Sequence, residues 1–459
     1  MERKNAWTTY GDKDIQELES VCDGYRAFLD AGKTERECVK EIVTMAEDKG
    51  YRSLANLVKQ GEKLHAGDKV YHVCMDKTVV MFNIGTDRLE QGMNILGAHI
   101  DSPRMDVKQN PLYENGDFAY LDTHYYGGIK KYQWVALPLA IHGVICKKDG
   151  NVIDVSVGEK DGDPVFCVSD LLIHLAGEQM EKKANKVIEG ENLDILFGSK
   201  KLSGQDKDAV KNGILELLKE QYDIEEEDFI SAELEVVPAG AARDAGIDRS
   251  MIMAYGQDDR VCAYTSLQAM LAVENVKRTT CCLLTDKEEI GSVGATGMRS
   301  RFFENSVAEL MNLMGEFNEL ALRRCLASSC MLSSDVNAAY DPLFASAFDK
   351  NNASYFGRGM VFSKFTGSRG KSGSNDANAE YIARIRKMMD ENDICYQTAE
   401  LGKVDVGGGG TIAYILSLYG MEVIDCGVAV LNMHAPWEVT SKADIYETLK
   451  GYKVFLREA

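Results

Sequence analysis

The 459-residue sequence predicts an α/β fold: a mixed β-sheet flanked by helices, interrupted by an inserted β-rich domain. Two observations predict it. From about residue 250 onward, short apolar runs alternate with amphipathic stretches of helical length, the rhythm of a sheet with helices on both faces. Between about 103 and 250 that rhythm gives way to β runs and a hairpin turn, so this block reads as a separate domain inserted into the first. The predicted division is therefore 1–102 with 250–459 as one discontinuous domain, and 103–249 as the insert. The length fits, since domains run to roughly 100–200 residues.

The elements follow in order. Residues 14–60 carry helical periodicity, with apolar side chains at Val21, Tyr25, Phe28 and Leu29, then at Val39, Ile42, Val43 and Met45. From Lys69 to Gly85 the pattern becomes short β runs, of which Thr78-Val-Val-Met-Phe is the clearest. Asn94-Ile-Leu-Gly-Ala leads straight into His99. In the insert, 132–146 is a strand-rich apolar run, Lys147-Lys-Asp-Gly-Asn a hairpin turn, and Val152 to Val157 the returning strand. A helix is predicted at 168–184, a loop at 185–204 and a second helix at 206–221. Beyond 250 the predicted strands are Thr279–Leu284, Cys330–Ser333 and Val428–Leu431. The predicted helices are 260–276, 304–323, 376–391, 411–419 and 440–457.

Composition narrows the function. Lys and Arg total 52 against 72 Asp and Glu, a net charge of −20, which argues against a nucleic-acid groove or a binder of anionic membranes. Twelve cysteines are scattered with no CxxC or zinc-finger spacing, and adjacent Cys281 and Cys282 sit in an apolar run as small hydrophobes. The first residues lead into a polar segment rather than a signal-peptide core, and no run approaches the ~20 apolar residues of a membrane span. A soluble, cytoplasmic protein is the expectation.

The chemistry lies in where His, Asp and Glu fall. Ligands of open α/β sheets gather at the carboxyl ends of strands. His99 and Asp101 follow one predicted strand, Glu288 and Glu289 a second, Asp335 a third and His434 a fourth, while Asp258 opens a helix. Zinc takes imidazole nitrogen and carboxylate oxygen. A shared carboxylate bridging two ions would give each one His and two carboxylates, with positions left for water and substrate. Singly, each residue has a plainer reading: a polar strand end for either His, a solvated loop for Glu288-Glu289, a turn-forming Asp before Ser102-Pro103. Adjacent Glu288 and Glu289 diverge in direction, which suits one ligand beside one general base. Asp101, two residues after His99, suits an acceptor for the other imidazole N–H. Gly407–Gly410 reads as a close backbone approach to a ligand or as a loop. Gly367-Ser-Arg-Gly-Lys-Ser is too short for a phosphate loop, and a nucleotide site is rejected there.

Together these segments resemble the aspartyl aminopeptidase family of dinuclear zinc metallopeptidases. The matching stretches are Gly97-Ala-His-Ile-Asp-Ser-Pro, Asp258 with Leu267-Gln-Ala downstream, Glu288-Glu-Ile-Gly-Ser, Ser334-Asp335 and Met433-His434. The resemblance implies two zinc ions per subunit, with cobalt or manganese as alternatives. It implies His99 and Asp335 on one ion, Glu289 and His434 on the other, and Asp258 between them. Glu288 would be the general base and Asp101 the partner of His99. It further implies a catalytic α/β domain interrupted by a dimerisation domain, and dimers that build a tetrahedral dodecamer. His174 would reach a neighbouring subunit's active site, and Lys364 the acidic side chain of a substrate. Helix-surface and surface-lysine roles are the respective alternatives.

Two positions depart from the family pattern. Ala338 stands where the animal enzymes typically carry a substrate-contacting His, and the bridging motif reads Asp-Asp-Arg instead of Asp-Asn, as in the related tetrahedral glutamyl and deblocking aminopeptidases. Both bear on a preference for N-terminal Asp or Glu and leave the metal chemistry alone. The predicted function is a metal-dependent aminopeptidase acting on peptides. A di-metal carboxypeptidase or amidohydrolase, and a catalytically silent shell or cargo protein, are the alternatives.

Overall fold

The computed structural model describes residues 4–367 and 370–459. Met1–Arg3, the start of the segment read above for a leader, and Ser368 and Arg369, within the rejected phosphate-loop stretch, lie outside the described residues. The chain divides into two compact units. One comprises Met1–Asp101, Ala242–Met433 and Glu438–Ala459; the other comprises Ser102–Ala241 with His434–Trp437.

The first unit is built on a nine-stranded mixed sheet. Its strands run in the order Arg52–Ser53, Lys69–Cys74, Thr78–Asn83, Thr280–Thr285, Asn94–His99, Cys330–Ser334, Glu422–Gly427, Met360–Ser363 and Tyr396–Thr398. The four central strands, from Thr280–Thr285 to Glu422–Gly427, are mutually parallel. Both of their faces are covered, which is why they read as continuous apolar runs rather than alternating ones. Leu96, Ala98, Cys282, Leu284, Leu332 and Ile424 face one apolar core, shared with the helices Asp12–Ala31, Glu35–Asp48, Gln257–Ala272, Ala379–Glu391 and Lys442–Glu458. Ile95, Cys281, Leu283, Met331 and Val423 face the other, shared with Leu54–Gln60, Phe302–Met314, Glu319–Ser328 and Ala413–Ser417. A smaller five-stranded sheet joins Arg243–Ala245, Met251–Ala254, Glu438–Ser441, Ala429–Leu431 and Asn337–Ala338.

The second unit is a six-stranded antiparallel sheet: Val152–Val157, Leu139–Cys146, Ala232–Pro238, Arg104–Asn115, Phe118–Tyr126 and Ile195–Gly198. The predicted turn closes the first hairpin, with the Lys147 N–H donating to the Asn151 carbonyl at 2.8 Å. The helix Ala209–Tyr222 turns Ile214 and Leu218 toward Leu121 and Ile141 across an apolar cavity of about 200 Å³. An α/β unit together with a β-rich one is the class that the sequence predicts.

Several element boundaries differ from the sequence reading. The helix predicted at 168–184 is reduced to Gly177–Met180. Its apolar residues are consecutive rather than spaced by three and four, so a helix would gain no buried stripe; Ile173 and Leu175 are 69% and 68% exposed. The helix predicted at 304–323 is two helices. Gly315 ends the first at φ +74°, and the Asn318 side chain caps the second by accepting from the Ala321 N–H. The predicted loop 185–204 contains the strand Ile195–Gly198, and 411–419 keeps only the short helix Ala413–Ser417. Among the described residues no helix is long and apolar enough to cross a membrane.

Candidate metal centre

Three neighbouring parallel strands deliver the predicted residues at one end of the sheet. His99 is the last residue of its strand and lies in register with Thr285. Three residues beyond Thr285, the short turn Glu288–Ile290 begins, entered and left through left-handed residues, Lys287 at φ +68° and Gly291 at φ +91°. Asp335 directly follows Cys330–Ser334, its N–H donating to the Cys426 carbonyl at 2.8 Å. A side chain at Gly427 would collide with the Asp335 carbonyl, so glycine lets the neighbouring strand pass there. Asp258 lies at the start of the helix Gln257–Ala272, where its backbone and that of Asp259 are not yet helical. A carboxylate is favoured at the positive end of a helix.

The side chains converge. His99 Nε2 lies 3.3 Å from Asp258 Oδ1 and 4.0 Å from Asp335 Oδ1. His99, Asp258 and Asp335 each offer a ligand atom within 4.8 Å of the others, and so do His99, Glu288 and Glu289. His99 is 1% exposed, Asp258 3% and Asp101 0%, while Asp335, Glu288 and Glu289 are half-buried. Burial disfavours charge on His99, but the Asp101 and Asp258 carboxylates outweigh it and hold the imidazole well above its ordinary value. Burial, and then the Asp259 charge, push the Asp335 carboxyl well above the usual carboxylate range. One imidazole among crowded carboxylates, Asp258 buried and Asp335, Glu288 and Glu289 half-buried, is a nitrogen and oxygen donor set whose mutual repulsion a divalent cation relieves. These residues therefore fit zinc.

The other predicted residues are placed as follows. Asp101 has its main-chain carbonyl 3.0 Å and its Oδ1 3.3 Å from His99 Nδ1. His434 comes after the Ala429–Leu431 strand, so the strand preceding it belongs to the five-stranded sheet rather than to the nine-stranded one. In the second unit its Nδ1 lies 2.8 Å from the Gly128 carbonyl oxygen, which orients the ring. His174 lies in the exposed apolar run Leu171–Leu175 of the second unit. Lys364 follows the Met360–Ser363 strand and pairs with Asp376 at 3.6 Å.

Two contacts to the main chain of the candidate ligands are not read from the sequence, although Asp259 itself stands there beside Asp258 as the other carboxylate of Asp-Asp-Arg. Buried Glu438 accepts the Asp258 N–H at 3.0 Å, and buried Asp259 accepts the His99 N–H at 3.4 Å. Each holds the main chain of a candidate ligand. The pairs are 180 and 160 residues apart in sequence, so no local pattern reveals them.

An open α/β sheet that gathers an imidazole and several carboxylates beyond its strand ends defines a metal-dependent hydrolase. The family model described as "Aminopeptidase I zinc metalloprotease (M18)" matches residues 28–456, and the chain belongs to that family of zinc metallo-aminopeptidases. It is 62% identical over 456 residues to a probable M18 family aminopeptidase 1 of Clostridium acetobutylicum, covering 99% of this chain and 98% of that protein. The crystal structure of the M18 aminopeptidase from Thermotoga maritima covers 100% of both chains at 44% identity, with a TM-score of 0.95. More distantly, the S. cerevisiae mApe1 dodecamer shares the fold at 20% identity and a TM-score of 0.77, over 96% of this chain and 97% of that one.

Proposed function

We propose that the protein releases N-terminal residues from peptides through a two-zinc site. The reading is carried by the convergence of His99, Asp258 and Asp335 within 4.8 Å, with Glu288 and Glu289 grouped on the same His99. In this reading His99 and Asp335 hold one ion, Glu289 and His434 the other, and Asp258 is shared. The ions, when bound, polarise the scissile carbonyl and lower the pKa of the attacking water.

The rest is done by the chain. Glu288 takes the water's proton and passes it to the nitrogen of the leaving amine, so the departing peptide leaves neutral. A carboxylate of the site or an ion would hold the substrate's free α-amino group, which restricts cleavage to the first residue. The buried setting of His99, Asp258 and Asp101 lowers the local dielectric and strengthens the interactions that these three make. His174 and Lys364 are proposed as substrate contacts, with Lys364 offering its ammonium to an acidic first residue. The second unit is proposed as a dimerisation domain, and the full assembly as a dodecamer of such dimers.

The reading is tested by offering aminoacyl-p-nitroanilides and N-blocked peptides side by side to the zinc-loaded protein. Free-amine substrates are cleaved and blocked ones are not. Cleavage of the blocked peptides alone makes the protein a carboxypeptidase or amidohydrolase, and metal retention without any hydrolysis makes it a silent shell. Within the same panel, faster release of Asp and Glu than of neutral residues supports the acidic preference.

A further inference from the structure

We propose that Asp101 is a positioning residue for Glu288 and Glu289, acting through their main chain, and that the tautomer of His99 is set instead by the Asp101 carbonyl. This rests on the two-metal reading above. The Asp101 side chain is fully buried. Its Oδ1 accepts the N–H of Glu288 at 3.1 Å and its Oδ2 accepts the N–H of Glu289 at 3.2 Å. Those are the first two N–H groups of the Glu288–Ile290 turn, and no side chain of the turn's own N-terminal flank caps them. A carboxylate 187 residues away in sequence therefore does the capping.

The consequence is geometric. Fixing two successive peptide planes fixes the Cα–Cβ directions of Glu288 and Glu289, and so decides which carboxylate faces the water and which the ion. The chain leading into the turn is held separately. The Asp286 N–H donates to Thr78 Oγ1 at 3.1 Å, and Thr296 Oγ1 donates to Asp286 Oδ2 at 2.5 Å. The His99 imidazole needs the Asp101 carboxylate less, because Nδ1 sits closer to the main-chain carbonyl at 3.0 Å than to Oδ1 at 3.3 Å. That carbonyl survives any substitution at position 101. One strand end thus serves both halves of the site, the main chain orienting His99 and the side chain orienting the Glu pair.

Asp101→Asn and Asp101→Ala separate these roles. Asn offers one acceptor oxygen and turns an NH2 toward the other N–H, while Ala offers none. Hydrogen exchange followed by mass spectrometry, on metal-free and zinc-loaded protein, reads the clamp without reference to activity. Exchange in the segment 286–292 accelerates by about tenfold or more in Asp101→Ala, and in part in Asp101→Asn, with 94–100 unchanged. If the Ala variant does not fold, the Asn variant decides. Zinc competition against a chromophoric chelator then shows a loss of about 10–100-fold for the ion that Glu289→Gln also weakens, and little change for the ion that His99→Ala weakens. kcat falls in step, with KM nearly constant. Unchanged exchange at 286–292, or a zinc loss confined to the His99 ion or equal at both ions, overturns the proposal. Should the wild type bind zinc but cleave no peptide, the aminopeptidase reading fails while the exchange experiment still decides the role of Asp101.

Discussion

Replacing Glu288 with Gln lowers kcat by about 10²–10⁴-fold, the range that a positioned general base contributes, and leaves zinc content unchanged. The substitution preserves shape and removes only the capacity to accept a proton. Glu288 shares a potential ligand set with His99 and Glu289, and its N–H is held by Asp101 at 3.1 Å, so the variant side chain stays in place. KM changes little, because in the proposed reading Glu288 does not bind the scissile carbonyl. Steady-state kinetics on an aminoacyl-p-nitroanilide, with metal analysis of the same preparation, checks this. Near-normal turnover in a zinc-replete variant removes Glu288 as the base and leaves Glu289 to be tested in its place.

Replacing Asp258 with Ala has a different signature. As the proposed shared carboxylate it would support both ions, so both zinc affinities are expected to fall together, each by more than the roughly 100-fold typical of losing a residue outside the direct ligands. kcat/KM drops to background. Asp335→Ala weakens one ion and spares the other. Stepwise chelator titration of the three proteins distinguishes these patterns. An Asp258 variant that loses a single ion makes this residue an ordinary ligand. The main chain at Asp258 is anchored independently, its N–H donating to buried Glu438 at 3.0 Å, so the loss reads on the carboxylate rather than on the helix start.

The strands that carry the candidate residues are legible in the sequence for a physical reason. Strands covered on both faces must be apolar along their whole length, so Asn94–His99, Thr280–Thr285 and Cys330–Ser334 stand out as runs, and the polar residue at each end is conspicuous. The strand Glu422–Gly427 was missed because Glu422 and Asp425 break the apolar run. Asp425 is nevertheless 2% exposed and accepts a hydrogen bond from Thr411 Oγ1 at 2.5 Å. The sheet to which the strand before His434 belongs was equally hidden, since a three-residue strand carries no mark of its partners. The segment 168–184 has the apolar content of a helix, but its apolar residues are consecutive and share no face, and only Gly177–Met180 is helical. Contacts such as Asp101 with Glu288 and Glu289 bridge segments that only the fold brings together, and no spacing in the sequence encodes them.

One aspartate, Asp258, is proposed to tie two ions together beyond the ends of three parallel strands. An anomalous difference map at the zinc edge, from crystals of the zinc-loaded protein, tests it most directly. The account predicts two peaks per chain, ~3.5–4 Å apart, on either side of the Asp258 carboxylate and with His99 on one of them. A single peak, or two peaks that do not share Asp258, contradicts it.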